Sequence, residues 1–257
     1  MIDQTGHSLT IPGTIRSVVS TVPSITLTLF DLGLGHLVKG RTKFCIHPSD
    51  KINAIPKIGG TKNLKLEDIH RIDPDIIIAN KEENERQDIE TLMDQYPVYI
   101  SDVIDLDTNY AFIQDMGNIF DKVVIADQVI TSTRKAFRNL VSWNNKRIAY
   151  LIWQRPMMVA GSNTFINSVL QELSLINVFE HKAGRYPEIS PEELIDLQPD
   201  LVFLSSEPYP YKAQHLAFFD DLLPRSKAVL VDGEMFSWFG SKMQHAPKYF
   251  NTLLRSL

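Results

Sequence analysis

Apolar residues in this chain fall into short continuous runs separated by amphipathic stretches. Residues 16–22 (Arg-Ser-Val-Val-Ser-Thr-Val) read as a strand ended by Pro23. Ser24 then caps a helix whose apolar positions are Leu27, Leu29, Phe30 and Leu32, and Gly33 stops it. A second short strand starts at Val38, residues 41–48 and 59–63 are loops, and residues 75–79 are an apolar strand. A polar-faced helix at 83–94 and a strand at 98–100 complete this half. The order then recurs, with a strand at 147–153, a helix at 163–175, a buried strand ending at Ser205 and a last strand at 228–231. Strand–helix alternation, with Ile, Leu and Val nearly continuous in the strands, predicts parallel sheets covered on both faces.

The stretch between the halves differs in kind. From Pro97 to Pro156 there is no proline and a single glycine, Gly117. Ile113, Met116, Phe120, Val123, Ile130, Phe137 and Leu140 recur at helical spacing, which predicts one helix of about 30 residues over 109–142. Such a helix is either a stiff strut between two lobes or a crossover within one domain. The expected architecture is α/β: two doubly wound parallel-sheet lobes, 1–108 and 143–257, joined by a single long helix at 109–142.

An internal repeat supports two similar halves. Leu-Glu-Asp-Ile-His-Arg-Ile-Asp-Pro-Asp-Ile-Ile-Ile-Ala-Asn at 66–80 is answered 125 residues on by Pro-Glu-Glu-Leu-Ile-Asp-Leu-Gln-Pro-Asp-Leu-Val-Phe-Leu-Ser at 191–205. Each copy reads as an acidic-headed helix, a Pro-Asp turn and a buried strand, and Glu82 and Glu207 follow at equivalent places. Ser190, Pro191 and Glu193 form a strong helix start with a capping box. That accounts for Glu193 but not for Glu192, whose counterpart is Glu67; in the first copy Lys65 replaces the capping Ser. Glu67 and Glu192 are either ordinary first-turn carboxylates favoured by the helix dipole or matching contacts for a basic partner.

Composition narrows the classes. At 257 residues, 44% hydrophobic and 22% charged, the chain is globular rather than disordered. Its net charge of −5 argues against a nucleic-acid partner. No apolar run approaches the roughly 20 residues of a membrane span. Cys45 is the only cysteine, so no intrachain disulfide forms. The N-terminus shows no export signal, consistent with a cytoplasmic protein or with a mature domain whose leader is gone. Gly33 and Gly35 are followed by Val38 where a dinucleotide fingerprint needs a third glycine, and the phosphate-loop, nucleophile-elbow and zincin motifs are missing.

These features together resemble the periplasmic binding proteins that serve ABC importers of vitamin B12, haem and iron–siderophore complexes. The resemblance is carried by Asp3-Gln4-Thr5-Gly6, Ile11-Pro12, Val22-Pro23-Ser24, Leu32-Gly33, Gly59-Gly60-Thr61, the paired Glu…Pro-Asp segments and Trp238-Phe239, in collinear order over nearly the whole chain. It implies a non-enzymatic receptor, without cofactor, that holds a metal chelate in an interlobe cleft. Its partners would be a permease and its ATPase, its membrane association only through the permease, its place periplasmic or membrane-anchored outside the cytoplasm, and its state monomeric. It also implies that Glu67 and Glu192 dock onto the permease through charge-assisted pairs. An enzyme or a cytosolic chelate carrier using the same cleft is the competing reading.

In doubly wound lobes the ligand contacts loops at the carboxyl ends of the strands. Those loops supply Arg41, Phe44, His47 and Glu82 from the first half, and Trp153, Arg185, Tyr186, Glu207, Tyr209 and Trp238 from the second. Aromatics and arginines suit a large, flat, partly apolar ligand bearing carboxylates, amides or phosphate. Trp153 has a plain alternative as core, so Trp238 is the better aromatic candidate. Glu82 and Glu207 either meet the ligand or hold their own loops. Cys45 and His47 are two residues apart, but two side chains do not make a metal site, and none is expected.

Overall fold

The computed structural model describes residues 1–257. The chain divides into two compact units. Unit one comprises Met1–Val103, Asp107–Thr133 and Phe239–Gln244; unit two comprises Ile104–Leu106, Arg134–Trp238 and His245–Leu257.

The elements of the first half are β1 (Val18–Ser20), α1 (Pro23–Asp31), β2 (Val38–Arg41), the short hairpin β3 (Gly59–Gly60) and β4 (Asn63–Leu64), α2 (Leu66–Ile72), β5 (Ile76–Asn80), α3 (Arg86–Met93) and β6 (Val98–Ser101). Then come α4 (Leu106–Ile119) and α5 (Val123–Arg138). The main sheet runs β2-β1-β5-β6, every pair parallel. All five residues of β5 are buried, as a central parallel strand covered on both faces requires.

The second half contains β7 (Arg147–Gln154), β8 (Met157–Val159), α6 (Phe165–Glu172), β9 (Ile176–Asn177), α7 (Pro191–Leu197), β10 (Leu201–Ser205), α8 (Leu216–Leu222), β11 (Lys227–Val231), α9 (Glu234–Ser237) and α10 (Ala246–Arg255). Strand β7 takes β10 on one edge and, on the other, β9 followed by the antiparallel β8. Counting within the half, the parallel order is second, first, third, fourth, as in unit one. The crossovers reverse direction beside β1 and beside β7, which marks the carboxyl ends of β1/β5 and β7/β10 as the crevice positions of each sheet. Alternation along β7 and β10 gives unit two an aliphatic face and an aromatic face. Ala149, Leu151, Val202 and Leu204 join the core that includes Leu194 and Phe219. Tyr150 and Phe203 face the other way, against Phe236, whose ring lies 4.8 Å from that of Phe250.

The repeat is exact at the level of elements: α2 and α7, and β5 and β10, keep the same 125-residue offset. Both helices end in a left-handed residue, Asp73 (φ 50) and Gln198 (φ 41). The Pro-Asp turn has a physical role. Asp75 accepts the N–H groups of Arg16 at 2.7 Å and Ser17 at 2.9 Å, and Asp200 accepts that of Arg147 at 2.7 Å. Each aspartate clips the start of the third strand of its sheet to the chain entering the first.

Two expectations need correction. Ser24 does not cap α1: the helix opens with Pro23 in its first turn, Val22 stands at its head, and no side chain caps it. The stretch 109–142 is not one helix of about 30 residues but α4, of 14 residues, and α5, of 16, with Arg138 as the last helical residue. Asp121 adopts φ 52, and the N–H of Lys122 returns to the carbonyl of Gly117 at 2.8 Å, a tight helix end. A Cβ on Gly117 would stand 2.6 Å from the Ala126 Cβ, so the fold-back needs glycine there. Gly117, the single glycine in the run, allows that close approach from within α4.

Candidate functional site

In unit one the loop after β5 is tied down by an amide network. Asn80 Oδ1 accepts the N–H groups of Glu82 (3.0 Å) and Glu83 (2.9 Å). Asn84 Oδ1 accepts the Thr21 hydroxyl at 2.7 Å, and its Nδ2 donates to Thr61 O at 3.0 Å. Lys62 Nζ adds a bond to Glu82 O at 2.8 Å. Glu82 is thus presented, half-buried, from a fixed backbone. Thr21, Asn80 and Asn84 escaped the sequence reading because amide networks have no periodic signature.

Arg41 closes β2 and turns its side chain into its own loop. It is 3% exposed, and its guanidinium donates to the carbonyls of Ile55 (3.3 Å), Thr42 (3.3 Å) and Cys45 (3.1 Å). Burial requires that charge to be hydrogen-bonded, and the nearest acceptors are its own loop. Phe44, by contrast, is 50% exposed, with Lys43 Nζ 4.9 Å from its ring centroid. Gly60 lies under the ring, where a Cβ would come within 3.3 Å of it. His47 is half-buried in the same loop. Cys45 Sγ sits 3.1 Å from Thr26 Oγ1 and 3.2 Å from Thr42 Oγ1, and burial pushes the thiol above its ordinary range. No group of three or more His, Cys, Asp and Glu side chains stands ready to hold a metal ion.

In unit two the aromatic candidates separate. Trp153 is 39% exposed, its Nε1–H donates to Arg155 O at 3.1 Å, and its ring meets Tyr209 edge-on at 5.6 Å. Tyr209 donates its hydroxyl to Gln154 Oε1 at 2.6 Å and packs against Tyr211 at 4.7 Å. His215, missed in the sequence, lies 3.3 Å from the Tyr209 hydroxyl through Nε2. Lys212 N–H donates to its Nδ1 at 2.8 Å. The result is a hydrogen-bonded aromatic wall at the carboxyl ends of β7 and β10, with Tyr211 buried behind it. Arg185 and Tyr186 stand half-buried in the segment leading to α7.

Trp238 and Glu207 are joined to each other. Trp238 is only 7% exposed, and its Nε1–H donates to Glu207 Oε1 at 2.8 Å, the same oxygen that accepts the Ser237 hydroxyl at 2.8 Å. Glu207 thus ties α9 to the loop after β10. Burial raises its carboxyl above the usual carboxylate range, while the Ser237 bond pulls the other way and Glu234 adds to the rise. Of these two tryptophans, Trp153 is the more open.

Glu67 and Glu192 are both exposed at the second position of their helices. The helix heads differ. Ser190 caps α7, accepting the Glu193 N–H at 3.2 Å, whereas Lys65 provides no side-chain cap to α2. The Ser190 hydroxyl also holds the Glu192 carboxyl below the usual range.

Comparison with known proteins matches this architecture. The family model described as periplasmic binding protein covers residues 18–229. The vitamin B12-binding protein of Vibrio parahaemolyticus is 24% identical over 196 residues, spanning 74% of this chain and 71% of that one. An ABC transporter substrate-binding lipoprotein of Bacillus subtilis is 22% identical over 212 residues, spanning 78% and 67%. A periplasmic haem-binding protein from Pseudomonas aeruginosa superposes with a TM-score of 0.80 at 18% identity, covering 94% of this chain and 93% of that one. With the family model spanning most of its length and the fold repeated in full, this chain belongs to the periplasmic binding protein family.

Proposed function

We propose that the protein is the substrate-binding receptor of an ABC importer, capturing a metal chelate of the corrinoid, haem or iron–siderophore kind outside the cytoplasm. It works as a monomer and delivers its ligand to a permease and its ATPase. The family is one of binding proteins rather than enzymes. Similar proteins named for B12 binding in Vibrio parahaemolyticus and for haem binding in Pseudomonas aeruginosa support this ligand class. No helix is long and apolar enough to cross a membrane.

The observation that carries the reading is the wall of Trp153, Tyr209 and their partners at the crevice position of unit two. An exposed indole braced by a hydrogen-bonded tyrosine offers rigid π surface to a flat macrocycle at little entropic cost. Arg185 and Tyr186 would meet the polar substituents. Phe44, His47 and Glu82 are the remaining candidate contacts, on unit one. The test is titration of the purified protein with cyanocobalamin, haemin and ferric chelates, followed by visible absorbance and tryptophan quenching. Saturable binding of one of them is expected; no binding of any, or turnover of one, would overturn the proposal.

A further inference from the structure

In unit two the chain from Lys182 to Glu193 is closed into a ring. At its mouth Lys182 Nζ pairs with Glu193 Oε1, and Glu193 Oε2 accepts the N–H of Ser190 at 2.9 Å. The Ser190 hydroxyl accepts the Glu193 N–H in return, which completes the capping box. One carboxylate therefore both caps α7 and anchors the chain that leads to Arg185 and Tyr186.

The body of the ring is fixed along its length. Gly161 N–H donates to Arg185 O at 2.8 Å, Val159 N–H to Pro187 O at 3.2 Å, and Ile189 N–H to Met157 O at 2.9 Å. A Cβ on Gly161 would lie 2.8 Å from the Gly184 carbonyl oxygen and 3.2 Å from Pro187 Cδ, so only glycine allows this approach. Held at its mouth and along its flank, the ring gives its two ends little room to shift independently.

Those ends carry different tasks. Arg185 and Tyr186 belong to the ligand loop, and Glu192 stands beside Glu193 on the docking helix. We infer that this ring, with Lys182 as its positioning residue, couples the ligand loop to the docking carboxylate, so that a shift at Arg185 or Tyr186 reaches the first turn of α7. The purpose of the coupling rests on the receptor reading; its mechanics do not. Coupling through a shared element is reciprocal, so loosening either end loosens the other.

Amide hydrogen exchange on the ligand-free full chain tests this directly. Lys182→Met is expected to speed exchange at Glu193 and Leu194 by about three- to fivefold, the scale of losing one ion pair or one cap. Ser190→Ala, made at the helix end, is expected to speed exchange in 182–186 on the far side of the ring. Lys182→Arg restores the native pattern. The pair is partly exposed, 31% and 44% at its side chains, so high salt should reproduce the Lys182→Met pattern in the native protein and add nothing to the variant. Exchange that rises only next to each substitution, or an arginine variant that behaves like methionine, overturns the coupling. Because neither ligand nor permease enters the measurement, its failure leaves capture and docking standing, and a failed titration leaves the exchange result intact.

Discussion

At the scale of residues, burial decides which polar groups are taken up by the fold. Arg41 and Glu207 both sit at strand ends where a ligand contact was expected, and both are spent on neighbouring loop atoms. Desolvation outweighs the hydrogen bonds at Glu207, so its folded-state pKa is raised. Raised for an acid means that the protonated form is the better folded one. Its contribution is greatest below the unfolded carboxyl value and declines as pH rises towards the folded value. Glu207→Gln keeps an acceptor for Ser237 and Trp238 without the charge. Urea midpoints taken from about pH 4 to about pH 8 should therefore show the variant gaining on the native protein as pH rises; a constant difference would mean the carboxyl ionises freely in the fold. Trp153 is the opposite kind of residue, open and braced. Trp153→Ala should weaken chelate binding by roughly tenfold or more, read by titration, with the thermal midpoint nearly unchanged.

At the scale of elements, the two repeat copies share bounds but not caps. The helix heads at 65–68 and 190–193 differ because Lys65 cannot accept the N–H that Ser190 accepts. Ser190→Ala should cost about 1 kcal/mol, and Lys65→Ser should return a similar amount, both from denaturant unfolding. No change at position 65 would show that the first turn of α2 is already satisfied by other means. The strands, α1, α3, α6 and the repeat helices were legible because each is a local apolar pattern, several of them punctuated by Pro, Gly or Ser. The break between α4 and α5 was not, since apolar spacing persists across it and the turn depends on how closely Ala126 approaches Gly117.

At the scale of the whole molecule, the chain crosses between its units more than once. Phe239–Gln244 returns to unit one, where Ser241 N–H donates to Thr28 Oγ1 at 3.0 Å and the Phe239 ring meets Phe112 edge-on at 5.2 Å. Gly240 has φ 81, and a Cβ there would fall 2.0 Å from Thr28 Oγ1. Gly240→Ala should therefore destabilise by about 2 kcal/mol or more, visible as a lowered thermal midpoint. On the functional side, Glu67→Ala combined with Glu192→Ala should leave chelate affinity intact and abolish stimulation of the importer's ATPase. Lost affinity in that double variant would place the two carboxylates in capture instead.

Local order determined much of this protein from its sequence: parallel strands from continuous Ile and Val, helix heads from Ser and Pro, and two matching halves from a repeated phrase. Each of these depends on neighbours within a few residues, so a linear reading contains it. Tertiary structure alone decided that Trp153 is open while Trp238 is closed, that Arg41 and Glu207 face inward, and that the helix breaks after Ile119. Burial and pairing are set by residues distant in the chain, and no spacing along the chain records which of two equal tryptophans the fold will cover.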